Sequence, residues 1–159
     1  MAQFSANPIS TKNRTMIPYL TVKNADRAIE FYKKAFGAFE VSAPFRDARG
    51  KITHAEMGIG DSVFKIMDES ASAKSPETFG GTSVGLALNV DDAETIYNNA
   101  IAAGAKNIHP VIHQFYGDRI GKIEDPFGHR WSISTHMEEV SREEIQRRVA
   151  ELNDPMIEL

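Results

Sequence analysis

The first part of the chain changes from the spacing of a strand to that of a helix and then back to strands. Residues 16–22 (MIPYLTV) have the β-branched and aromatic character of a strand. Residues 23–37 have helical spacing, with Asn24 suited to cap the helix and Gly37 suited to end it. Three strands joined by short turns are predicted next, at residues 39–47, 51–59 and 62–68.

The same order of elements recurs after a stretch that has no periodicity. Residues 69–82 are rich in Ser, Ala, Gly and Pro, which predicts a linker. A strand is predicted after it, and then a helix that begins with Asp91 and Glu94 in a capping-box pattern. Three more strands follow this helix, so the second part of the chain repeats the order of the first.

The two parts can be aligned on matching residues. Placing Val22 on Val90 leaves Gly60 on Gly128 at the same offset, which predicts a β-α-β-β-β module used twice. The predicted fold class is therefore α+β, with two such modules and a C-terminal helix. The predicted division is a flexible N-terminal arm at 1–14, modules at 15–68 and 83–137 around the linker at 69–82, and an amphipathic helix and tail at 138–159.

Composition limits the classes of protein and site. The chain has 159 residues, a formal net charge of −4 and no cysteine. Without cysteine there is no disulfide, thiolate zinc site or cysteine nucleophile, so any metal would need His, Asp or Glu ligands. The mild negative charge argues against nucleic acid as a partner, and the short apolar runs argue against a membrane. The N-terminus lacks the apolar region of a signal peptide, which predicts a cytoplasmic protein.

Three segments of the repeat resemble one branch of a known superfamily. They are IPYLTVKNADRAIEFYKKAFGA at 17–38, HAEMGIGDSVFKIMDE at 54–69 and FYGDRIGKIEDPFGHRWSISTH at 115–136. Together they resemble the PhnB-like branch of the vicinal-oxygen-chelate superfamily, which includes glyoxalase I, bleomycin-resistance proteins and extradiol dioxygenases. The resemblance implies a curved, cup-like mixed sheet around a small-molecule cavity, and a homodimer.

The resemblance also implies where a divalent metal would be bound. Metal-dependent members of the superfamily take ligands from the strand that opens each module and from the strand that closes it. Carried onto this sequence, these positions fall on Ile17, Gly85, Ser132 and Phe64, or on Lys65 in place of Phe64 after a shift of one residue. None of these is a usual ligand of a catalytic divalent metal. We therefore predict no metal site of the usual kind and no cofactor.

Two other polar residues are candidates for catalysis. His54 and Glu56 are two residues apart on a predicted strand, so their side chains project from the same face. They could be catalytic as an acid–base pair, or could be part of a displaced metal site with His113 or His136. The alternative is a solvated strand face or a structural hydrogen bond.

A larger set of residues is predicted to contact a ligand. Residues 113–119 place aromatic and charged side chains around a glycine turn, and loops on a rigid scaffold often carry ligand contacts. Gly117 and Asp118 would equally suit a plain hairpin turn. On the last strand, Trp131 is predicted to lie in the core and its neighbours on the other side to line the cavity. The predicted ligand-binding residues are Tyr19, His113, Tyr116, Asp118, Arg119, Arg130, Ser132, Ser134 and His136.

Two functional hypotheses follow from these observations. The first is a dimeric, metal-independent protein that binds a small molecule in the cup. The second is a glyoxalase-like lyase or isomerase that uses His54 and Glu56 or a relocated divalent metal. A methyltransferase activity, which is attributed to some PhnB-like proteins, is not predicted. The last helix has Ile145, Val149 and Leu152 on one side, so it should pack on its own sheet or on a partner.

Overall fold

The strands and helices follow the predicted order of the two modules. The computed structural model describes residues 14–152, so the predicted arm lies outside the described residues except for Arg14. The predicted α+β class is confirmed. The strands are β1 (Tyr19–Val22), β2 (Phe39–Glu40), β3 (Phe45–Arg46), β4 (Ile52–Ile59), β5 (Ser62–Asp68), β6 (Gly85–Asn89), β7 (Lys106–His113), β8 (Asp118–Glu124) and β9 (Arg130–His136). The helices are α1 (Ala25–Phe36), α2 (Pro76–Phe79), α3 (Ala93–Ala102) and α4 (Arg142–Glu151).

Each module builds a sheet in which its first strand lies beside its last. β1 pairs in parallel with β5, and β6 pairs in parallel with β9, whereas β4 and β8 are antiparallel to these closing strands. The first sheet has the order β1-β5-β4-β2, with β3 also paired to β4, and the second has the order β6-β9-β8-β7. The duplicated β-α-β-β-β arrangement is therefore confirmed.

Helix α1 is stabilised by its own capping residues and by a buried carboxylate. The Asn24 side chain accepts a hydrogen bond from a first-turn N–H (3.0 Å), and Gly37 ends the helix with a left-handed φ of 66°, as predicted. The Asp68 carboxylate accepts hydrogen bonds from the N–H of Ala25 (2.9 Å) and of Ile52 (2.8 Å). Asp68 therefore anchors the start of α1 to the first sheet.

The helix-facing sides of the two sheets pack into one hydrophobic core. α1 packs against α3, and the Tyr32 ring lies 5.4 Å from Phe64 of β5 and 5.6 Å from Trp131 of β9, measured between ring centroids. Trp131 is 4% exposed, as predicted for a core residue. Because side chains alternate along a strand, every second residue of each sheet points away from this core. We call that side of each sheet its open face.

A second buried carboxylate joins the two modules. Asp125, in the turn between β8 and β9, is 1% exposed and accepts hydrogen bonds from the Tyr32 hydroxyl (2.7 Å) and the Trp131 indole N–H (2.9 Å). Its other oxygen accepts from the N–H of Phe127 and of His129, both at 2.9 Å. Burial, followed by the Asp125 charge, raises the pKa of Tyr32 well above its usual value. The aspartate of the DPFG segment is thus a structural residue.

Two predicted strands are shorter in the structure. The first begins at Tyr19 rather than at residue 16, because Pro18 has no N–H and contributes only its carbonyl, which accepts from the Lys65 N–H (2.8 Å). The strand predicted over residues 39–47 is two strands of two residues each, with Pro44 between them. A proline in this segment removes a donor that a continuous strand would use.

Two helix predictions also need correction. The linker contains the short helix α2, which Ser75 caps and Pro76 begins, and the sequence pattern Ser-Pro is typical of such a start. Helix α3 is capped by Asp92 and not by Asp91. The Asp92 side chain accepts a hydrogen bond from the Thr95 N–H (3.1 Å), so the capping residue lies one position later than the capping-box pattern predicted.

Helix α4 lies on the surface of the second module. Ser141 caps it by accepting a hydrogen bond from a first-turn N–H (3.2 Å). Arg148 donates to the backbone carbonyl of Phe115 (3.0 Å), which attaches the helix to the loop before β8. None of the side chains of α4 is buried. Val149 and Leu152 are 40% and 45% exposed, so the apolar side of the helix is only partly covered.

Between residues 14 and 152, no helix combines the length and the apolar character that crossing a membrane requires.

Candidate functional site

Four polar side chains share the open face of the first sheet. Tyr19 of β1 lies opposite Lys65 of β5, and Lys65 lies opposite Glu56 of β4. His54 is two residues before Glu56 on the same strand, so it projects from the same side. We call Tyr19, His54, Glu56 and Lys65 the His54 group. The predicted neighbourhood of His54 and Glu56 is therefore present, with two further polar side chains beside it.

The imidazole of His54 lies between a phenol and a carboxylate. The Tyr19 hydroxyl is 3.1 Å from His54 Nδ1, and the two rings meet edge to face with centroids 5.9 Å apart. His54 Nε2 is 3.6 Å from Glu56 Oε1, slightly longer than a hydrogen bond. Burial raises the pKa of Tyr19, which keeps its hydroxyl protonated as a donor. His54 is therefore within hydrogen-bonding distance of a phenol through Nδ1, and its Nε2 lies beside a carboxylate.

Lys65 places a cation beside this pair. Its ammonium nitrogen is 3.9 Å from Glu56 Oε1, and the Lys65 and Glu56 side chains are 28% and 18% exposed. The register also decides between the two closing-strand positions derived from the superfamily. Tyr19 pairs with Lys65 as Ala87 of β6 pairs with Ser132 of β9, so Lys65 is the counterpart of Ser132. Phe64 faces the core instead, where it is 5% exposed.

Two exposed aromatic rings flank the His54 group. Phe45 of β3 lies opposite His54, with ring centroids 6.1 Å apart, and is 66% exposed. Phe39 of β2 lies opposite Gly58 and crosses the space that a side chain at Gly58 would occupy. Neither ring was predicted as part of a site. The face of the sheet on which these two rings lie depends on the bend between β2 and β3. The spacing of side chains along the sequence does not predict that bend.

The open face of the second sheet carries a histidine between two carboxylates. Asp118 of β8 lies opposite His136 of β9, with Asp118 Oδ1 2.7 Å from His136 Nδ1. His136 Nε2 is 3.1 Å from Glu139 Oε1. The hydrogen bond with Asp118, and then the charges of both carboxylates, raise the pKa of His136. Both residues were predicted to contact a ligand, and the structure shows that they contact each other.

The remaining predicted residues of β9 also lie on this open face. Arg130 lies near Glu124 (3.5 Å), and the Ser134 hydroxyl donates to the Asn89 side chain (2.8 Å). Ser132 is half-buried opposite Lys122 of β8. This face therefore presents hydroxyls and charges of both signs, as the alternation along the strand predicted.

The predicted residues of the loop before β8 are not all brought to the open face. Arg119 points to the other side of β8 and donates to Glu94 of α3 (2.6 Å), so it joins the two elements instead. His113 Nδ1 donates to the backbone carbonyl of Gln114 (2.9 Å). Tyr116 packs edge to face on Phe115, and burial raises its pKa.

The side chains at the superfamily's metal positions do not suit a divalent cation. After the register correction these positions are Ile17, Gly85, Ser132 and Lys65, which offer an alkyl group, a hydrogen, a hydroxyl and an ammonium. Catalytic zinc and related ions need imidazole or carboxylate donors, and an ammonium group repels them. Among residues 14–152, no group of three or more His, Asp or Glu side chains is placed to hold a metal ion. His54, His113 and His136 lie on three different strands.

Comparisons with known proteins agree with the fold. Residues 13–133 match the family described as Glyoxalase/Bleomycin resistance protein/Dioxygenase superfamily. The protein Rv0887c of Mycobacterium tuberculosis (strain H37Rv) is 36% identical over 143 residues, which cover 86% of this chain and 83% of that protein. The solved structure of the Arabidopsis thaliana gene product At5g48480 is 28% identical, with a TM-score of 0.61 over 76% of this chain and 98% of that chain. A Bacillus cereus PhnB protein shares the fold at 15% identity, with a TM-score of 0.59 over 77% of this chain and 99% of that chain.

Proposed function

The chain belongs to the Glyoxalase/Bleomycin resistance protein/Dioxygenase superfamily, and we propose from this membership that it is a PhnB-like protein that binds a small organic molecule in a cup lined by its open faces. The observation that carries the proposal is the His54 group with its two flanking rings. Binding sites for small molecules usually combine apolar walls with a few polar groups that fix orientation. Phe39 and Phe45 supply the walls, and the His54 group supplies the polar contacts.

The polar contacts favour a ligand that carries oxygen functions. Lys65 and the protonated Tyr19 hydroxyl donate hydrogen bonds, Glu56 accepts them, and His54 can do either. A hydroxylated or carbonyl-bearing ring would place its ring against Phe45 and its oxygens at His54. The proposed binding is independent of the superfamily's usual metal, because a lysine and three side chains without imidazole or carboxylate stand at those positions.

Titration with catechol tests this proposal, because catechol has one aromatic ring and two neighbouring hydroxyls. Amide signals of β4 and β5 in ¹H–¹⁵N spectra should shift at millimolar catechol, and His54→Ala should weaken the binding about fivefold or more. His109→Ala is the matched control, since His109 lies exposed on β7. The proposal would be overturned if the shifted signals lay away from β4 and β5, or if both variants bound like the unchanged protein.

The proposal includes a homodimer, which the exposed apolar side chains support. Ile112 and Met137 are 51% and 54% exposed, and the apolar side of α4 is partly uncovered. A second copy would remove this surface from water. Sedimentation at micromolar concentration should show a dimer that is weakened by removal of residues 138–159, whereas a stable monomer of the full chain would rule out the dimer.

A lyase or isomerase activity is the second candidate function. The observation that favours it is the position of His54, within 3.1 Å of the Tyr19 hydroxyl and 3.6 Å of the Glu56 carboxylate. A histidine held between a phenol and a carboxylate is suited to general acid–base catalysis. Turnover of the methylglyoxal–glutathione hemithioacetal that disappears in His54→Ala would favour this function over binding alone.

Elemental analysis separates the metal-independent proposal from one with a relocated metal. Protein purified without chelator should contain far less than one Zn, Ni, Mn or Fe per chain, and His54→Ala should not change this content. A stoichiometric metal that is lost in His54→Ala and kept in His109→Ala would overturn the metal-independent proposal.

A further inference from the structure

A cavity lies at the junction of the two modules, apart from the centre of the His54 group. It has a volume of about 570 Å³ and lies between β1 and β6, beneath the linker that contains α2. This size is within the range of roughly 300 to 1,000 Å³ that is typical of small-molecule sites. We call it the linker cavity. Its lining residues are Pro18, Tyr19, Leu20, Thr21, Lys74, Pro76, Phe79, Gly81, Thr82, Ser83, Val84, Leu86 and His129.

The walls of the linker cavity are mostly apolar and partly exposed. Phe79 at the end of α2 is 74% exposed, Val84 is 63% exposed and Tyr19 is 49% exposed. Leu86 of β6 is also part of the lining. Large apolar side chains with this much exposure, gathered around one concave site, indicate a surface that is covered when a ligand is bound.

The polar groups of the linker cavity have a bias in charge. Among residues 14–152, Lys74 is the one permanently charged side chain of the lining, and no acidic side chain belongs to it. The Thr78 hydroxyl donates a hydrogen bond to the Glu69 carboxylate (2.6 Å) and is the main cause of the lowered Glu69 pKa, to which the Lys74 charge adds. An anionic group in the cavity would therefore face a cation without an opposing lining carboxylate.

The free edge of β1 adds hydrogen-bond donors and acceptors. β1 is an edge strand. The Pro18 carbonyl accepts from Lys65 of β5, and the Val22 carbonyl accepts from Glu69 directly after β5. The backbone groups of Tyr19 and Thr21 therefore point to the other edge. There the Thr21 carbonyl lies 3.1 Å from Nε2 of His129, a side chain that is 9% exposed. The Tyr19 N–H faces the same edge, next to the cavity. Edge-strand N–H groups are suited to bind a carboxylate.

We infer that the linker cavity is a second ligand site, which takes a planar aromatic carboxylate with its ring between Phe79, Val84 and Leu86 and its carboxylate near Lys74. The site shares only Tyr19 with the His54 group, so the inference does not depend on the proposed function. The cavity is reached from the surface, because residues 77–81 are exposed and only the start of α2 is buried, at Pro76.

Cinnamate and its neutral analogue cinnamamide test the inference. The full chain should bind cinnamate more tightly than cinnamamide, with shifted amide signals at residues 74–86 and in β1. Lys74→Met should weaken cinnamate binding about three- to fivefold and leave cinnamamide binding unchanged, since only the charge pairing is lost. Lys34→Met, on the exposed side of α1, is the matched control and should change neither. Phe79→Ala should weaken both ligands, because it removes an apolar wall from an exposed position that the fold does not need.

The outcomes separate this inference from the proposed function. His54→Ala should keep cinnamate binding, even if it abolishes catechol binding. The inference is overturned if cinnamate and cinnamamide bind equally, if neither binds, or if Lys34→Met and Lys74→Met have the same effect. Signals that shift at β4 in place of the linker would also overturn it, because the ligand would then occupy the His54 group.

Discussion

Replacement of Asp125 by alanine should destabilise the protein strongly and loosen the joint between its modules. Four donors converge on this carboxylate: the Tyr32 hydroxyl, the Trp131 indole N–H and two backbone N–H groups, all at 2.7–2.9 Å. Each buried donor left without a partner costs about 1–3 kcal/mol, and relaxation of the turn or entry of water recovers part of that cost. We expect Asp125→Ala to lower the free energy of unfolding by about 3–5 kcal/mol.

Tyr32→Phe is the matched comparison for this variant. It removes one hydrogen bond and leaves Asp125 with three donors, so the expected loss is about 1–1.5 kcal/mol. In the Tyr32→Phe background, Asp125→Ala should cost about 1 kcal/mol less than in the unchanged protein, because one of its orphaned donors is already absent. This coupling is the specific sign that the two modules are joined through the Tyr32–Asp125 contact.

Urea unfolding at neutral pH and fixed protein concentration measures these differences. The fluorescence of Trp131, the one tryptophan of the chain, reports on the module joint, and far-ultraviolet circular dichroism reports on the whole fold. The reasoning is refuted if Asp125→Ala loses less than about 1 kcal/mol, which is the value of one ordinary hydrogen bond. It is also refuted if the losses in the free energy of unfolding of the two single variants simply add up in the double variant.

Two further predictions concern the second module. Because the pKa of His136 is raised in the folded protein, protonated His136 stabilises the fold. This stabilisation is fully present below the usual pKa of 6.5 and is lost as the pH rises through the raised pKa. A titration of its ring signals by NMR should show a midpoint above 6.5 that falls in Asp118→Asn, and an unchanged midpoint would contradict this assignment. Gly117→Ala should lower the free energy of unfolding by about 1–3 kcal/mol more than Gly50→Ala in thermal unfolding. Both glycines have positive φ, but a Cβ at Gly117 would overlap the Glu138 carbonyl whereas Gly50 faces open space, so equal losses would argue against this steric explanation.

Local features of the fold could be predicted because each depends on neighbouring residues. Asn24 begins α1 and Gly37 ends it through contacts within one helical turn. The common face of His54 and Glu56 follows from the period of a strand, whatever the strand pairs with. The capping residue of α3 was misplaced by one position, because Asp91 and Asp92 are both suitable acceptors and only the backbone angles of the formed turn select Asp92.

Predictions that depended on pairing between distant strands were less complete. Phe64 and Lys65 could not be separated by aligning the two halves, since one residue of offset exchanges the faces of a strand. The observed pairing of Tyr19 with Lys65 removes that ambiguity and places a cation beside Glu56. Arg119 was predicted at the ligand on the strength of its loop, but the alternation of β8 turns it to Glu94.

The amino-acid pattern alone was enough to predict the duplicated module, both ends of α1, the core position of Trp131 and the shared face of His54 and Glu56. Each of these follows from spacing over a few residues or from hydrophobicity. The folded chain adds what this pattern does not contain: Tyr19 reaches His54, Asp125 binds Tyr32 of the other module, and a cavity lies between β1 and β6. These contacts join residues that are tens of positions apart, and their geometry is set by strand register and by the packing of the modules, which no local pattern of side chains specifies.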